Sequence, residues 1–599
     1  MFLRCNRRTK DGKAHRYWSI VENRRCSGGR VVQRPVLYLG EINASQREAW
    51  TRSIEAFDEA TGCQTKLRLF AAEGPKAPGI TDAVQVRLSD FGLRRPRQWG
   101  ACWLFSQLWE QLGLGEFWRE KLGLSREGTD WEHVLQALTA YRLIDPGSEW
   151  RLHRHWYAHS AMGDLLGEDD RLAAKDTLYR CLDLLVVHKE ALFRHLTKRW
   201  QDLFGVKFEV LLYDLTSTYF ESEPPSDPED KRQHGYSRDK RPDCLQVVIG
   251  LIVTPEGFPL AYEVLAGNTS DKTTLKAFLE KIETQYGQAQ RLWVMDRGIP
   301  TEAMLQAMRE SQPPVSYLVG TPKGRLSQFH AALVGQEWQA VREGVEVKLR
   351  AQEGELYVLA RSRERRHKER AMRRRQLKRL WQRLKDLQQM KRLSRDQLLL
   401  KLGAAKSQAP TAWRLVEVWV PGPQEPVNAE TFRFALRKER LREALRHEGR
   451  YLLRTNLSGE DPTKLWSFYT QLTHVEEAFK NLKGELAIRP LFHQNFPRIE
   501  AHIFVAFLAY CLLVTLRHRL RLHAPGLTAR AVLDKFATVQ MLDAHFPTTD
   551  GRWLTFARYT QPEKDVQLLL AKLGLQLPPQ SPPRITARGQ LAAPADSPL

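Results

Sequence analysis

The spacing of apolar residues changes character near residue 205. Between Trp99 and Phe204 apolar positions recur at helical intervals, as in Leu104, Leu108 and Leu112 and later Leu182, Leu184 and Leu185. That periodicity predicts helices. From Lys207 onward, short runs rich in apolar and β-branched residues take over and predict strands. Segments 208–213, 245–253 and 258–264 read as strands, the last two joined by the turn Thr254-Pro-Glu-Gly257. A helix over 273–286 leads into a strand over 291–295, and a helix over 301–309 into a strand over 315–319. The predicted order is β-β-β-α-β-α-β.

Residues 320–456 interrupt that order. Strand-like segments at 345–349 and 356–359 flank Glu353-Gly354, a hairpin signal. The segment 361–379 then carries eleven Lys/Arg against two Glu, a net charge of +9. Leu377, Leu380, Leu384 and Leu387 continue it as an apolar seam, so a long helix is expected, with a return helix starting at 398–402. Strand texture resumes at 413–420, 432–436 and 451–453. Near the N-terminus the chain is basic with short strand-like pieces such as 31–39, and Gly74-Pro-Lys-Ala-Pro-Gly79 reads as a linker. The Pro-, Ala- and Ser-rich tail from Pro578 has the composition of a disordered segment. These shifts divide the chain into a basic β module (1–75), a helical region (76–204), an α/β core in two parts (205–325 and 457–545), an insertion of β strands and a basic helical hairpin (326–456), and a C-terminal region with its tail (546–599).

At 599 residues the chain is too long for one core. A formal charge of +22 implies a polyanionic partner, either nucleic acid or an anionic membrane. The best apolar run, 503–516, has fourteen residues, short of the roughly 20 that a spanning helix needs, and reads as a buried core helix. The first residues, Met1-Phe-Leu-Arg-Cys-Asn-Arg-Arg8, lack an apolar signal core. The seven cysteines form no C-x-x-C pair, which argues against a zinc site or a disulfide framework. The expectation is a cytoplasmic, DNA-associated protein with no membrane partner.

Three acidic segments stand out. Asp214 follows the run Val210-Leu-Leu-Tyr, Asp296 follows Leu292-Trp-Val-Met, and Glu476 lies in the amphipathic segment His474-Val-Glu-Glu-Ala-Phe-Lys-Asn-Leu-Lys483. If the first two strands are adjacent and parallel, both aspartates lie at one sheet edge, where α/β sheets bind ligands. On one continuous helix, Tyr469, Leu472, Glu476, Lys480 and Lys483 would share a stripe, with Val475, Phe479 and Leu482 on another. Three carboxylates supply oxygen ligands suited to Mg²⁺, with Mn²⁺ as a substitute. Two such ions stabilise the attacking and leaving oxygens of an in-line displacement at phosphorus. Metal-dependent phosphoryl transfer on DNA is the expected chemistry.

Over roughly residues 205–520 the chain resembles the DDE transposases of bacterial insertion sequences, in particular the IS-four-like group. The resemblance rests on Tyr213-Asp-Leu-Thr-Ser-Thr-Tyr-Phe-Glu221, His234-Gly-Tyr-Ser-Arg-Asp-Lys-Arg-Pro-Asp243, Gly267-Asn-Thr-Ser-Asp271, Val294-Met-Asp-Arg-Gly298 and the Glu476 segment. That group carries a Y-x2-R-x3-E-x6-K signature. Tyr469, Glu476 and Lys483 fall in register, while Leu472 stands where the group usually has Arg. The resemblance implies an RNase H-like fold with an insertion before the glutamate helix. It implies Asp214, Asp296 and Glu476 as metal ligands, and phosphate contacts from Tyr469 and Lys483, with Lys480 on the same stripe. It also implies cleavage at transposon ends in double-stranded DNA, attack of the freed 3′-hydroxyl on target DNA, and a homodimeric synaptic complex. The helical region is then a candidate for binding DNA ends.

Other readings stand beside these. Glu477 competes with Glu476. Asp243 and Asp271 are expected to hydrogen-bond within loops, and His234 to lie on a solvated loop. Arg373, Arg374 and Arg375 in the basic segment either track DNA phosphates or form a solvated helix face. Trp419 is expected to pack within a strand, with stacking on an unpaired base as the alternative. The alternatives to a transposase are an RNase H-like metal-dependent nuclease without strand transfer and a catalytically inactive DNA-binding protein.

Overall fold

The computed structural model describes residues 1–10, 13–25, 31–42, 46–47, 50–51, 85–321, 337–580 and 584–585, except 124, 126, 222–224, 226, 228–229, 288–289, 297, 391–392, 490 and 492. The expected linker at 74–79 and most of the tail lie outside these residues.

The chain opens with an antiparallel meander of β1 (Phe2–Lys10), β2 (Lys13–Arg25) and β3 (Val31–Gly40). Strand β4 (Gly92–Gln98) precedes the helices α1 (Gly100–Gln111), α2 (Leu114–Leu122), α3 (Trp131–Ile144), α4 (Lys175–Leu185) and α5 (Lys189–Phe204). The α/β part is β5 (Val210–Phe220), β6 (Leu245–Val253), β7 (Pro259–Ala266), α6 (Asp271–Tyr286), β8 (Leu292–Met295), α7 (Glu302–Glu310) and β9 (Ser316–Gly320), in the predicted order. Next come β10 (Gln339–Arg342), β11 (Val345–Gln352), β12 (Glu355–Ser362), α8 (Arg363–Gln389), α9 (Arg395–Gln408), β13 (Val416–Trp419), β14 (Arg433–Leu436), α10 (Lys438–His447) and β15 (Arg450–Thr455). The chain continues through α11 (Pro462–Thr470), α12 (Leu472–Lys480), α13 (Phe496–His523), α14 (Ala529–Phe536), β16 (Gln540–Pro547), β17 (Trp553–Tyr559) and α15 (Lys564–Leu573).

Two compact units emerge, and the chain passes between them within β5, after Asp214. The second unit (208–214 and 270–473) holds a mixed sheet in the order β10-β11-β12-β15-β9-β8-β5. Strands β5, β8 and β9 are parallel neighbours; the remaining pairs are antiparallel. The hairpin between β11 and β12 turns at Glu353 and Gly354, both at positive φ, as the sequence signal predicted. This arrangement revises the limits of the insertion. The strands at 339–362 and 450–455 extend the sheet beyond β9 rather than forming a separate layer, because β15 pairs with both β9 and β12.

Among the described residues between β9 and β15, residues 363–449 branch from that sheet. Helix α8 buries Leu380, Leu384 and Leu387 against Leu398, Leu402 and Ala405 of α9 and Phe432, so the predicted seam is the core of a helical hairpin. Ser394 and Gln397 cap α9 reciprocally. Trp419 ends β13 and is 47% exposed, not packed as expected, because it is the last residue of a two-stranded ribbon.

The first unit (1–207, 215–269 and 474–599) contains the remainder of β5 followed in the sheet by β6 and β7. Numbering from β5, the sheet orders 3-2-1 in this unit and 1-4-5 in the other are those of the expected RNase H-like α/β core. Helix α13 is the centre of the first unit and packs on α1, α3 and α4. Every residue from 503 to 516 is buried, as predicted for a core helix. Among the described residues α13 is the one helix long and apolar enough to cross a membrane, and 94% of its apolar window is buried inside the protein.

The ends of the chain share this unit. Strand β4 pairs with β16, and buried Arg97 holds Asp543 at 2.8 Å and Asp164 at 2.6 Å. Trp50 donates its indole N–H to the Pro525 carbonyl at 2.8 Å. The boundary drawn at 545 therefore falls inside β16, whose register is set by β4 and β17.

Candidate active site

Strands β5 and β8 pair Val210 with Leu292, Leu211 with Trp293, Leu212 with Val294 and Tyr213 with Met295. The next residue on each strand is an acid, Asp214 and Asp296. Parallel neighbours lie about 4.8 Å apart. Both carboxylates therefore belong to the C-terminal edge of one parallel pair, where α/β sheets bind ligands. The local sequence explains why: Leu211–Tyr213 and Leu292–Met295 are buried, and the acid is the first polar residue after each run. The Tyr213 hydroxyl donates to Thr274 Oγ1 at 2.7 Å and fixes β5 to α6. Asp214 is half-buried and Asp296 exposed. Two carboxylates at neighbouring strand positions, offering only oxygen, suit a hard divalent cation.

Glu476 lies on α12 in the first unit. This helix buries Val475, Ala478 and Phe479 and exposes Glu476, Glu477 and Lys480. Glu477 receives the Arg517 guanidinium at 3.1 Å and sits 3.6 Å from His474. His474 and Arg517 outweigh burial and hold the Glu477 carboxyl below the usual range. Glu476 has no ion pair among the described residues. Arg517, on α13, also donates to the Glu256 carbonyl at 3.3 Å, so one side chain fastens α12 and the β6–β7 turn. Gly257 in that turn has φ +95°, and a Cβ there would lie 2.1 Å from Arg517 Nη2.

The single stripe expected for Tyr469 through Lys483 is not formed. Helix α11 ends at Thr470 and α12 begins at Leu472, so Tyr469 lies on the preceding helix, with Tyr451 and Trp466 rings 5.9 and 6.0 Å away. Beyond Lys480 the helix widens into a π-turn over Asn481–Glu485. The wider turn shifts Lys483 off the α-helical period that Glu476 and Lys480 follow.

Lys483 Nζ lies 2.9 Å from Asp239 Oδ1, and Arg489 pairs with the same carboxylate. Burial, with Arg489 and Arg238 nearby, pushes the Lys483 pKa down against the pull of Asp239. The loop carrying Asp239 is tied to β5, since Arg238 N–H donates to Ser217 Oγ at 3.3 Å. The Arg241 and Arg489 guanidiniums lie 5.0 and 5.7 Å from the Tyr219 ring. Neither Asp239 nor Arg489 was singled out by sequence reasoning; the dense alternation Arg238-Asp-Lys-Arg241 was the available signal. Asp243 is held by Arg241 at 3.0 Å, which lowers its pKa to about 2, in keeping with a loop role. His234 is exposed as expected. Asp271 opens α6, and its side chain lies outside the described residues.

Of the three candidate arginines Arg373, Arg374 and Arg375, Arg373 turns inward onto Glu448, whose side chain is 3% exposed and also lies 3.3 Å from Arg370. Arg374 and Arg375 are exposed.

Two further groupings could in principle hold an ion: Glu149–His493–His502 and Asp130–Glu132–His133. In the first, Arg142 lies 3.4 Å from both Glu149 and His502 and already supplies the counter-charge.

Comparison with known proteins adds two family matches. The model described as "Transposase DDE domain" matches residues 207–512, and that described as "IS1634 family transposase, N-terminal domain" matches residues 3–63. The second is not the IS-four-like group that the signature resembles. One similar solved structure is that of a piggyBac transposase synaptic complex with hairpin DNA, determined by cryo-electron microscopy. Identity is 10% over 75% of this chain and 82% of that one, with a TM-score of 0.33, too remote to support residue correspondences. No curated protein matches the chain.

Proposed function

The chain belongs to the transposase DDE-domain family and is a DNA-cleaving transposase; on that premise we propose that Asp214, Asp296 and Glu476 are its catalytic carboxylates. The observation that carries this reading is the in-register placement of Asp214 and Asp296 after Tyr213 and Met295. For the third position, support comes from the contrast on α12: Glu477 is engaged by Arg517 and His474, while Glu476 is exposed and has no ion pair among the described residues.

The family implies use of a divalent metal, and we assign Mg²⁺, with Mn²⁺ able to replace it. Bound by these oxygens, divalent ions would supply Lewis acidity to the attacking and leaving oxygens of the phosphodiester. The protein's own contribution is positioning. Asp214 and Asp296 are fixed by buried strand runs on their N-terminal sides, and Glu476 by the buried face of α12. Pre-set carboxylates cost no reorganisation at the moment of reaction. Tyr469, Lys480 and Lys483 are proposed to contact DNA phosphate, with Lys483 exchanging Asp239 for the phosphate when DNA arrives. The spacing of Tyr469, Glu476 and Lys483 supports a relation to the IS-four-like signature, with Leu472 in place of its Arg.

The reaction is proposed to have two steps. Water cleaves at the transposon end, and the freed 3′-hydroxyl attacks a phosphodiester of the target. Holding two ends together calls for two copies of the chain. Incubation with its element's end DNA, a target plasmid and Mg²⁺ tests this. Joined products at nucleotide resolution are expected. Nicked ends without joined product would identify a nuclease that cuts without strand transfer.

A further inference from the structure

A cavity of about 1120 Å³ opens between β10–β12, the start of β15 and the root of α8. Five of its arginines, Arg342, Arg363, Arg366, Arg446 and Arg450, have no ion-pair partner among the described residues. The other two, Arg361 and Arg370, face Glu346 and Glu448. We propose that this cavity seats a segment of DNA backbone, a phosphate site additional to the acidic sheet edge; it rests on the reading of the chain as a DNA-cleaving enzyme.

Three observations support the assignment. First, the positive charge is concentrated: seven arginines line the cavity against three glutamates, Glu343, Glu346 and Glu448. Burial, with Arg361 and Arg366 alongside, pushes the Arg450 pKa down, as expected where like charges crowd. Second, the wall is built by close backbone approach. Gly449 has φ +69°, and a Cβ there would fall 2.6 Å from the Ser362 carbonyl oxygen and 2.7 Å from Arg366 Cβ. Glycine thus lets the chain leading to Arg450 press against the first turn of α8. Third, the size and lining choose the ligand. The volume exceeds the roughly 300–1,000 Å³ typical of clefts for small molecules. The lining contains no Phe, Tyr or Trp; His367 is its one aromatic side chain. Guanidinium forks match phosphate oxygens in pairs, so the fitting occupant is a run of phosphodiesters read without regard to sequence.

The test is the affinity of the full chain for a random-sequence 40-bp duplex, followed by fluorescence anisotropy across a KCl series. Each neutralised phosphate adds about −0.9 to the slope of log affinity against log salt. Arg342→Gln/Arg366→Gln/Arg446→Gln should weaken binding and flatten that slope by up to about three units. Arg366→Gln alone should flatten it by about one unit, and decides the matter if the triple variant melts at a lower temperature. An unchanged slope and affinity in the single variant, with wild-type melting, would overturn the proposal. So would displacement of DNA by inorganic phosphate beyond its ionic-strength effect, which would mark a small-anion site. Metal-dependent cleavage by the wild-type protein is measured separately, so the catalytic reading and this one can fail independently.

Discussion

Arg517 holds Glu477 at 3.1 Å, and the preceding residue on the same helix, Glu476, has no ion pair among the described residues. Adjacent carboxylates thus have different tasks: one braces α12 against α13, and the other is available to a ligand. Glu476→Gln should abolish cleavage and leave the melting temperature near wild type. Glu477→Gln should retain cleavage and melt slightly lower, since an ion pair with a carboxylate this exposed contributes up to about 1 kcal/mol. Cleavage rates and thermal melts of both variants check this. The reverse pattern would move the catalytic role to Glu477.

The basic helix α8 contains two kinds of arginine. Arg373 is bound to buried Glu448, whereas Arg374 and Arg375 are exposed. Arg373→Gln should lower stability by about 1.5–3 kcal/mol, because Glu448 keeps only Arg370. Arg374→Gln/Arg375→Gln should lower stability less than Arg373→Gln and flatten the salt dependence of DNA binding by up to about two units. The loss should be the same on end and random DNA, because phosphate contacts carry little sequence information. An unchanged salt slope would make this part of α8 a solvated face only.

Acidification should destabilise the fold. His502 is buried, 2.9 Å from Glu149 and 3.4 Å from Arg142. Burial and Arg142 lower its pKa to about 4, against the pull of Glu149. An unfolded imidazole titrates near 6.5. Between those values the unfolded chain binds a proton that the folded chain does not, so stability falls as pH falls. Burial lowers His188, His195, His518 and His545 in the same direction. Burial tends to raise the Glu149 pKa, but His502, His493 and Arg142 outweigh it and hold it well below the usual range. Its contribution is lost at still lower pH. Thermal melts should therefore show a lower melting temperature at pH 5 than at pH 7. His502→Asn should shrink that difference; an equal difference in both proteins would remove His502 as a source.

The acidic positions were legible because each acid follows a run of buried apolar residues, but the strand read over 208–213 continues to Phe220, so Asp214 closes the β5–β8 ladder rather than the strand itself. The seam of α8 and the core role of α13 were legible for the same reason, since their apolar periods face a partner element. Other features depend on distant partners. The strands β11 and β12 read correctly as strands, whereas β10 was not foreseen, and their place in the main sheet is set by β15, which follows only after residues 363–449. Strand β4, Gly-Leu-Arg-Arg-Pro-Arg-Gln, has no strand-like composition; Arg97 is buried there because Asp543 and Asp164 receive it. The break at Gln471 carries no Pro or Gly, and the π-turn after Lys480 has only Gly484, one residue before its end, so one continuous helix was the natural expectation. Arg373 could not be separated from Arg374 and Arg375 without seeing Glu448.

Calcium offers a separate check on the metal. All-oxygen ligands accept Ca²⁺, but its larger radius and looser geometry suit catalysis poorly. DNA binding should persist in Ca²⁺ while cleavage is lost, and Mn²⁺ should restore cleavage. Gel shifts and cleavage assays in the three ions, run side by side, decide. Full turnover in Ca²⁺ would contradict the assigned ion.

Asp214 and Asp296, side by side after Tyr213 and Met295, are proposed to hold the metal on which DNA cleavage depends. The most direct measurement compares single-turnover cleavage of the element's end by wild type, Asp214→Asn and Asp296→Asn in Mg²⁺, with end affinity measured in parallel. Each variant should bind the end within a few-fold of wild type and cleave at least about 100-fold more slowly. Cleavage near the wild-type rate by either variant, or wild-type cleavage in EDTA, would contradict the claim.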